Sequence, residues 1–180
     1  MTNNTQTDEK DLLLKNMLSQ TDFLNTDIEK LKKSDKVKSY FVFKPDDEFR
    51  FCHEAAVTEY HGRLIAAWYN NRKSELIGYT PIRFAVSEDE GKSWSLPKTV
   101  ADDPSEKILY CPPVFGTEND RLYMFLNQMT APDHIHSLDL YIYNEDENEF
   151  GLLWSKPIPF KLNTNVYKTD NGKLILPGRF

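Results

Sequence analysis

The fold is decided by the stretch Ser87-Glu88-Asp89-Glu90-Gly91-Lys92-Ser93-Trp94. Asp89 carries a short carboxylate, which can accept hydrogen bonds from the amides of its own turn. Gly91 can adopt the positive φ that a tight hairpin needs. Trp94 supplies a large apolar surface where the chain would turn back into a strand. The stretch therefore predicts a tight turn between two antiparallel strands.

Two spacings around this turn predict a repeating fold. Downstream of the first forty residues, short runs of aromatic and β-branched residues alternate with Gly, Asn, Asp and Pro, as is typical of antiparallel strands. Three turn-and-strand segments contain Leu64, Leu122 and Leu174, which lie 58 and 52 residues apart. The pattern Trp-Ser-x-Pro recurs at Trp94 and Trp154, 60 residues apart. Such a period has room for four short strands, the unit of a β-propeller blade.

The stretch Ser87–Trp94 resembles the Asp box, S-x-D-x-G-x-[ST]-W, the repeat of sialidases (bacterial neuraminidases, BNR) and their relatives. The resemblance includes His53–Val57, Gly62–Tyr69 and the Trp-Ser-x-Pro that follows, and it covers residues 50–180. The second repeat keeps only a degenerate acidic turn at Asn144–Phe150. Because sialidases of this kind have six blades, the resemblance implies that this chain is a truncation or an N-terminal fragment with two blades and the start of a third.

The chain of 180 residues allows one domain, or one domain with an arm. Apolar residues from Leu14 to Leu31 recur at spacings of three and four, which predicts amphipathic helices. We expect a polar tail and a helical arm with a linker over residues 1–39. Residues 40–180 are expected to form the partial propeller, so the expected fold class is an all-β propeller preceded by a short α-helical arm.

Composition and charge exclude several classes of protein. The net charge of −6 does not favour nucleic acid as a partner. No run approaches the roughly 20 apolar residues that a membrane-spanning helix needs, and the start MTNNTQTDEKD lacks the pattern of a signal peptide, so a cytoplasmic protein is expected. Cys52 and Cys111 are too few for a disulfide framework and are expected to be packed thiols.

The geometry of a blade assigns each loop to one face. In a four-stranded meander, the first and third turns lie on one face, and the middle loop and the crossover to the next blade lie on the other. The Asp box and the turns at Gly62, Asp120 and Gly172 therefore share a face. The resemblance implies that sugar binds at the opposite face, where the middle loops are predicted at Asn70–Pro81 and Asn127–His136.

A sugar site needs amides and carboxylates to hold hydroxyl groups, arginine to bind a carboxylate, and aromatic rings to stack on the sugar. On the expected sugar face, the candidate substrate-binding residues are Arg50, Glu54, Asn70, Arg72, Glu75, Tyr79, Tyr110, Asn127, Gln128 and His134. Arg72 and Glu75 have an alternative explanation, because they could pair with each other at an exposed loop.

The candidate catalytic residues are His53 and Asp133. His53 opens the first inner strand and would point toward the central channel; the alternative is a crossover histidine with its hydrogen bonds satisfied. Asp133 could act as an acid or base if a pocket raised its pKa, although exposed turn aspartates are common. His134 and His136 alternate as metal ligands on a strand would, but they have no clear third ligand. Neither a metal nor another cofactor is expected.

The resemblance implies an exo-acting, sialidase-like glycoside hydrolase whose partner is a carbohydrate with a terminal acidic or substituted sugar. The family's first arginine lies in an Arg-Ile-Pro motif, whereas this chain has Arg50-Phe51-Cys52-His53. The family's other two arginines and its Tyr/Glu pair would lie beyond Phe180, so we expect the chain alone to be inactive and to self-associate through open blade edges. Two alternatives remain. One is a non-catalytic propeller that binds glycans or proteins, and the other is a glycosidase or lyase of different specificity with His53 as the acid–base group.

Overall fold

Two antiparallel sheets dominate the structure, a computed structural model that describes residues 38–180. The first sheet, which we call blade 1, is a meander of four strands in chain order: β1 (Phe51–Tyr60), β2 (Arg63–Asn71), β3 (Ile82–Ser87) and β4 (Lys98–Ala101). A two-residue turn joins β1 to β2, whereas the β2–β3 and β3–β4 connections have ten residues each. The predicted helices of the N-terminal arm lie outside the described residues.

The second sheet, blade 2, repeats the meander. It contains β5 (Leu109–Tyr110), β6 (Val114–Glu118), β7 (Arg121–Ala131), β8 (His134–Asn144) and β9 (Glu149–Lys156), with β5 and β6 both paired to β7. Two short ladders follow: β10 (Lys161–Leu162) pairs with β13 (Gly178–Arg179), and β11 (Tyr167–Lys168) pairs with β12 (Leu174–Ile175). These ladders occupy the place in the sequence where the start of a third blade is predicted.

The predicted all-β, propeller-type architecture is confirmed. Residues 38–180 contain no α-helix, and every named strand pairs antiparallel to its neighbour. Within the described part of the chain, there is accordingly no helix that could cross a membrane. Residues Tyr40–Phe180 form one compact unit.

The main core lies between the two blades. From β2, Ile65, Ala67 and Tyr69 point into this core, where they meet Phe84 and residues of β7 such as Met124. The intervening residues Ala66 and Trp68 point to the other face of blade 1 and form a second cluster with Ala85. Because successive side chains of a strand point to opposite faces, the continuous apolar run of β2 gives blade 1 two apolar faces.

The turn between β3 and β4 has the geometry that its sequence predicts. Ser93 donates to the Asp89 carboxylate from its backbone nitrogen at 2.8 Å and from its hydroxyl at 2.7 Å. These donors, with the Ser87 hydroxyl, lower the pKa of Asp89 to about 2. Gly91 has φ +84°, and the Trp94 indole donates to its carbonyl at 3.1 Å. The turn is thus held mainly by the aspartate and serine side chains.

The two blades share one orientation. His61, in the β1–β2 turn, lies 3.0 Å from Asp120 in the β6–β7 turn and 2.8 Å from Glu145 in the β8–β9 turn. These three turns therefore lie on one face, which we call the turn face. The β3–β4 turn lies on the same face, since its Glu88 is 3.6 Å from Arg63 beside the β1–β2 turn. The β2–β3 loop, the β7–β8 turn and the crossovers between sheets lie on the other, which we call the loop face.

The second middle loop is much shorter than predicted. The sequence analysis placed a loop at Asn127–His136, whereas β7 continues to Ala131 and β8 begins at His134. Only Pro132 and Asp133 remain as the turn, with Asp133 at φ +62°. The polar residues Asn127 and Gln128 are tolerated in the strand because their side chains find hydrogen-bond partners there. Asn70 likewise lies in β2 and not in the first loop.

Candidate functional site

A cleft of about 510 Å³ lies along the inner strands and reaches the loop face. Its walls come from four segments of the chain: Glu54–Val57 of β1, Pro112–Val114 before and in β6, Lys161–Asn165, and Arg179. Glu54 is the one candidate from the sequence analysis that lines this cleft directly. Lys161 and Arg179 were not anticipated, although Lys161 follows blade 2 at a crossover and so belongs to the face that the sequence analysis singled out.

Glu54 is held in an unusual backbone conformation. The pairing of β1 with β2 shifts register between His53 and Ala56, and Glu54 has φ +47° within this bulge. A bulge changes the direction of a side chain, and such bulges are frequent beside functional sites. The Cys111 thiol donates a hydrogen bond to the Glu54 carboxylate. Burial, with the neighbouring carboxylate of Glu54, raises the pKa of Cys111, so this thiol keeps its proton.

Asp133 is joined to the cleft by two cations. The ammonium of Lys161 forms an ion pair with its carboxylate, and the guanidinium of Arg179 lies 3.4 Å away. Arg179 also donates to the side chain of Asn163 at 2.9 Å. The hydrogen bond from Lys161 holds the pKa of Asp133 below its usual value. A general acid needs the opposite shift, so this environment does not favour Asp133 as a proton donor.

His53 belongs to a small aromatic cluster at the same end of β1. Its Nδ1 lies 3.2 Å from the Tyr69 hydroxyl, its ring stacks on Phe51 at 5.6 Å, and Glu75 lies 3.8 Å away. Burial raises the pKa of Tyr69, so the phenol that hydrogen-bonds to Nδ1 stays protonated. Tyr69 was missed by the sequence analysis because it lies in an apolar run that predicts only core.

The β2–β3 loop is organised by a buried asparagine. Asn71 donates to the carbonyls of Ile77 and Tyr79 and accepts from the backbone nitrogens of Lys73 at 2.8 Å and Ser74 at 3.2 Å. The side chain thus satisfies backbone groups from one end of the loop to the other. This network fixes the path of the residues that carry Arg72, Glu75 and Tyr79.

Arg72 and Tyr79 are bound to the crossover between the blades. Arg72 lies 3.4 Å from Glu106 and places its guanidinium over the Tyr79 ring at 5.1 Å, so its partner is not Glu75, as the alternative interpretation supposed. The Tyr79 hydroxyl donates to Asp102 at 2.7 Å, and burial together with this bond raises its pKa to about 12. Neither residue lines the cleft.

Asn70 and Tyr110 are buried and make structural contacts. Asn70 accepts from the Trp68 indole at 3.0 Å and donates to the Cys52 sulfur at 3.1 Å. Tyr110 belongs to the core between the blades, and burial raises its pKa. Neither side chain is available to a ligand in this conformation.

Asn127 and Gln128 also bond within the protein. Asn127 accepts from the backbone nitrogen of Leu162 and donates to the carbonyl of Phe160, both at 2.8 Å. Gln128 donates to Asp139 at 2.5 Å. Asp139 is fully buried and accepts from two serine hydroxyls as well. The sequence analysis missed this buried carboxylate, although the polar alternation Ser137-Leu138-Asp139 in an apolar strand is a signal for it.

Arg50, His134 and His136 are exposed. Among residues 38–180, none of the three has a side-chain hydrogen bond or ion pair with another residue of that range. The same part of the chain contains no group of three or more His, Cys, Asp or Glu side chains that could hold a metal ion. These three positions therefore lie apart from the cleft.

No protein-family model matches the chain, and no curated protein matches it. Among solved structures, the chain is similar to the Bombyx mori GH32 β-fructofuranosidase BmSUC1, with a TM-score of 0.46 and 10% identity, over 76% of this chain and 29% of that chain. The chain therefore spans less than a third of the length of that enzyme. Family membership does not follow from these comparisons.

Proposed function

We propose that the chain carries part of the sugar-binding site of a sialidase-like, exo-acting glycoside hydrolase, and that this site is the cleft at Glu54, Lys161 and Arg179. One observation carries the proposal: two cations, Lys161 and Arg179, line one cleft together with the Glu54 carboxylate, and a second carboxylate, Asp133, pairs with both cations from outside the lining. The exposed amides of Asn163 and Asn165 also line the cleft and can hold hydroxyl groups. This is the chemistry that an acidic sugar requires.

The cations select the charge of the sugar. Arginine binds a carboxylate through two parallel N–H donors, and lysine adds a compact positive charge. Without a ligand, the Asp133 carboxylate forms ion pairs with both cations. A sugar carboxylate would share or displace that contact, so we expect an acidic sugar to bind and a neutral sugar of similar size to bind much more weakly.

Hydrolysis of a glycoside ordinarily uses two carboxyl groups, one of which must donate a proton. Asp133 is held ionised by Lys161, which leaves Glu54 as the carboxyl group that lines the cleft itself. The same observation favours a second candidate function, namely binding of acidic glycans without hydrolysis.

The test measures binding and turnover separately. Calorimetry or saturation-transfer NMR would compare N-acetylneuraminic acid, glucuronic acid and glucose, and a fluorogenic sialoside would be assayed beside a panel of neutral glycosides. Lys161→Met and Arg179→Met are the cleft variants. Lys173→Met, in the exposed β11–β12 hairpin, is the matched control.

We expect each cleft variant to weaken binding of the acidic sugars about tenfold or more, since a hydrogen bond to a charged group contributes about 1.5–3 kcal/mol. The Lys173→Met control should bind as the unmodified chain does. Turnover of the sialoside would support the hydrolase, and binding without turnover would support the second candidate. Equal binding of acidic and neutral sugars, or no binding at all, would overturn both.

A further inference from the structure

The turn face carries a histidine between two carboxylates of the neighbouring sheet. His61 lies at the β1–β2 turn, with Nδ1 2.8 Å from Glu145 Oε2 and Nε2 3.0 Å from Asp120 Oδ1. An ionised carboxylate can only accept hydrogen bonds, so both ring nitrogens must donate. Only the protonated imidazolium has two N–H donors. The geometry therefore requires a charged His61 for both contacts to form.

The surrounding groups keep this arrangement in place. Arg63 on β2 lies 3.6 Å from both Glu145 and Glu88. The Tyr60 ring stacks on the His61 ring at 3.9 Å, and its hydroxyl donates to the Asp120 carbonyl at 3.0 Å. The further charged and titratable groups at this spot are Glu59, which accepts from the Gly62 nitrogen, Arg121, and Tyr143, which packs edge-on against Tyr60.

We propose that His61 is a pH-sensitive latch, which clamps blade 1 to blade 2 on the turn face while its imidazole is protonated. The proposal does not depend on the proposed function, because the cleft lies at the inner strands and loop face. When His61 loses its proton, one ring nitrogen becomes an acceptor and faces a carboxylate oxygen. One of the two contacts with blade 2 is then lost.

The pH range of the latch follows from the direction of the pKa shift. The hydrogen bond to Asp120, followed by that to Glu145, raises the pKa of His61 above its ordinary value of 6.5. A group whose pKa is raised on folding stabilises the folded state fully below its unfolded pKa. That stabilisation is lost as the pH rises through the folded pKa. The latch should thus be closed at pH 6 and should open as the pH rises through the folded pKa, which lies above 6.5.

The first experiment measures urea unfolding of the full chain between pH 6 and pH 9. His61→Asn removes the titrating ring and suits the backbone, since asparagine tolerates the left-handed φ of +50° at this position. His136→Asn, at an exposed position of β8, is the matched control. We expect the urea midpoint of the unmodified chain to exceed that of His61→Asn by the largest margin at pH 6, and the margin to shrink by pH 9. The control should follow the unmodified chain.

The second experiment remains informative if His61→Asn fails to fold. NMR of the unmodified chain should show the His61 ring titrating with a midpoint above 6.5, with both nitrogens protonated at pH 6. Glu145→Gln and Asp120→Asn should each lower that midpoint. A midpoint at or below 6.5, or a stability margin that does not change with pH, would overturn the proposal.

Discussion

Replacing Asn127 by alanine should destabilise the fold by about 3 kcal/mol. The side chain is fully buried, and its amide joins β7 to the segment that begins the next ladder. It accepts from the Leu162 nitrogen and donates to the Phe160 carbonyl at 2.8 Å each, with a longer bond of 3.3 Å to Ser137. A buried polar group left without a partner costs about 1–3 kcal/mol, and the substitution leaves two such groups. The expected loss is large beside a total stability of about 5–15 kcal/mol.

Urea unfolding at neutral pH measures this loss, and His136→Ala is the matched control because His136 is exposed and lies apart from the cleft. The control should change the free energy of unfolding by less than about 0.5 kcal/mol. The sequence analysis assigned Asn127 to the substrate, so sugar binding should be measured on the same samples. A loss of stability below about 1 kcal/mol, together with lost sugar binding, would refute the structural role and restore the role that the sequence analysis gave it.

Three further outcomes are expected. Gly91→Ala should lower the free energy of unfolding by about 1–2 kcal/mol, because an L residue at φ +84° is strained. Gly151→Ala should leave the free energy of unfolding nearly unchanged, and equal effects of the two substitutions in urea unfolding would contradict this. Asp89, with its pKa lowered to about 2, should stabilise the fold above about pH 4, and this stabilisation should disappear as the pH falls toward 2. The stability of Asp89→Asn, measured by urea unfolding between pH 4 and pH 2, should lack this pH-dependent loss. A thiol reagent should modify the exposed Cys52 in the folded chain and spare Cys111, whose pKa burial raises, so Cys52→Ser should abolish the rapid reaction.

The sequence predicted the blades well because their strands obey local rules. The turn at Asp89 and Gly91 follows from side-chain hydrogen bonding and backbone freedom, which need no tertiary information. The loop predicted at Asn127–His136 was wrong because polar residues were taken to be exposed. The Asn127 side chain is buried and bonds the backbone of Phe160 and Leu162, which lie 33 and 35 positions later in the chain. Such a contact cannot be inferred from local composition.

The candidate site could be predicted only in part for the same reason. The residue type of Glu54 made it a candidate, but the bulge that gives it φ +47° depends on the register of β1 with β2. Lys161 and Arg179 meet at Asp133 although they lie 28 and 46 positions from it in the chain. The sequence shows that both residues are cations, whereas their contact with the same carboxylate depends on the pairing of β10 with β13, which places Lys161 opposite Arg179.

The apolar faces on both sides of blade 1 set a minimum number of blades that can fold cooperatively. A single sheet of this kind has no neighbour to cover either face, so much of its folding free energy belongs to its interfaces with other sheets. Phe84 illustrates this, since it lies on β3 and packs edge-on against Phe150 of β9 at 5.0 Å. Each blade is thus a poor independent unit, and the smallest element that can unfold as a whole is a pair of adjacent blades. Hydrogen exchange should therefore report one shared opening energy for β2 and β7, which both contribute side chains to the core between the blades.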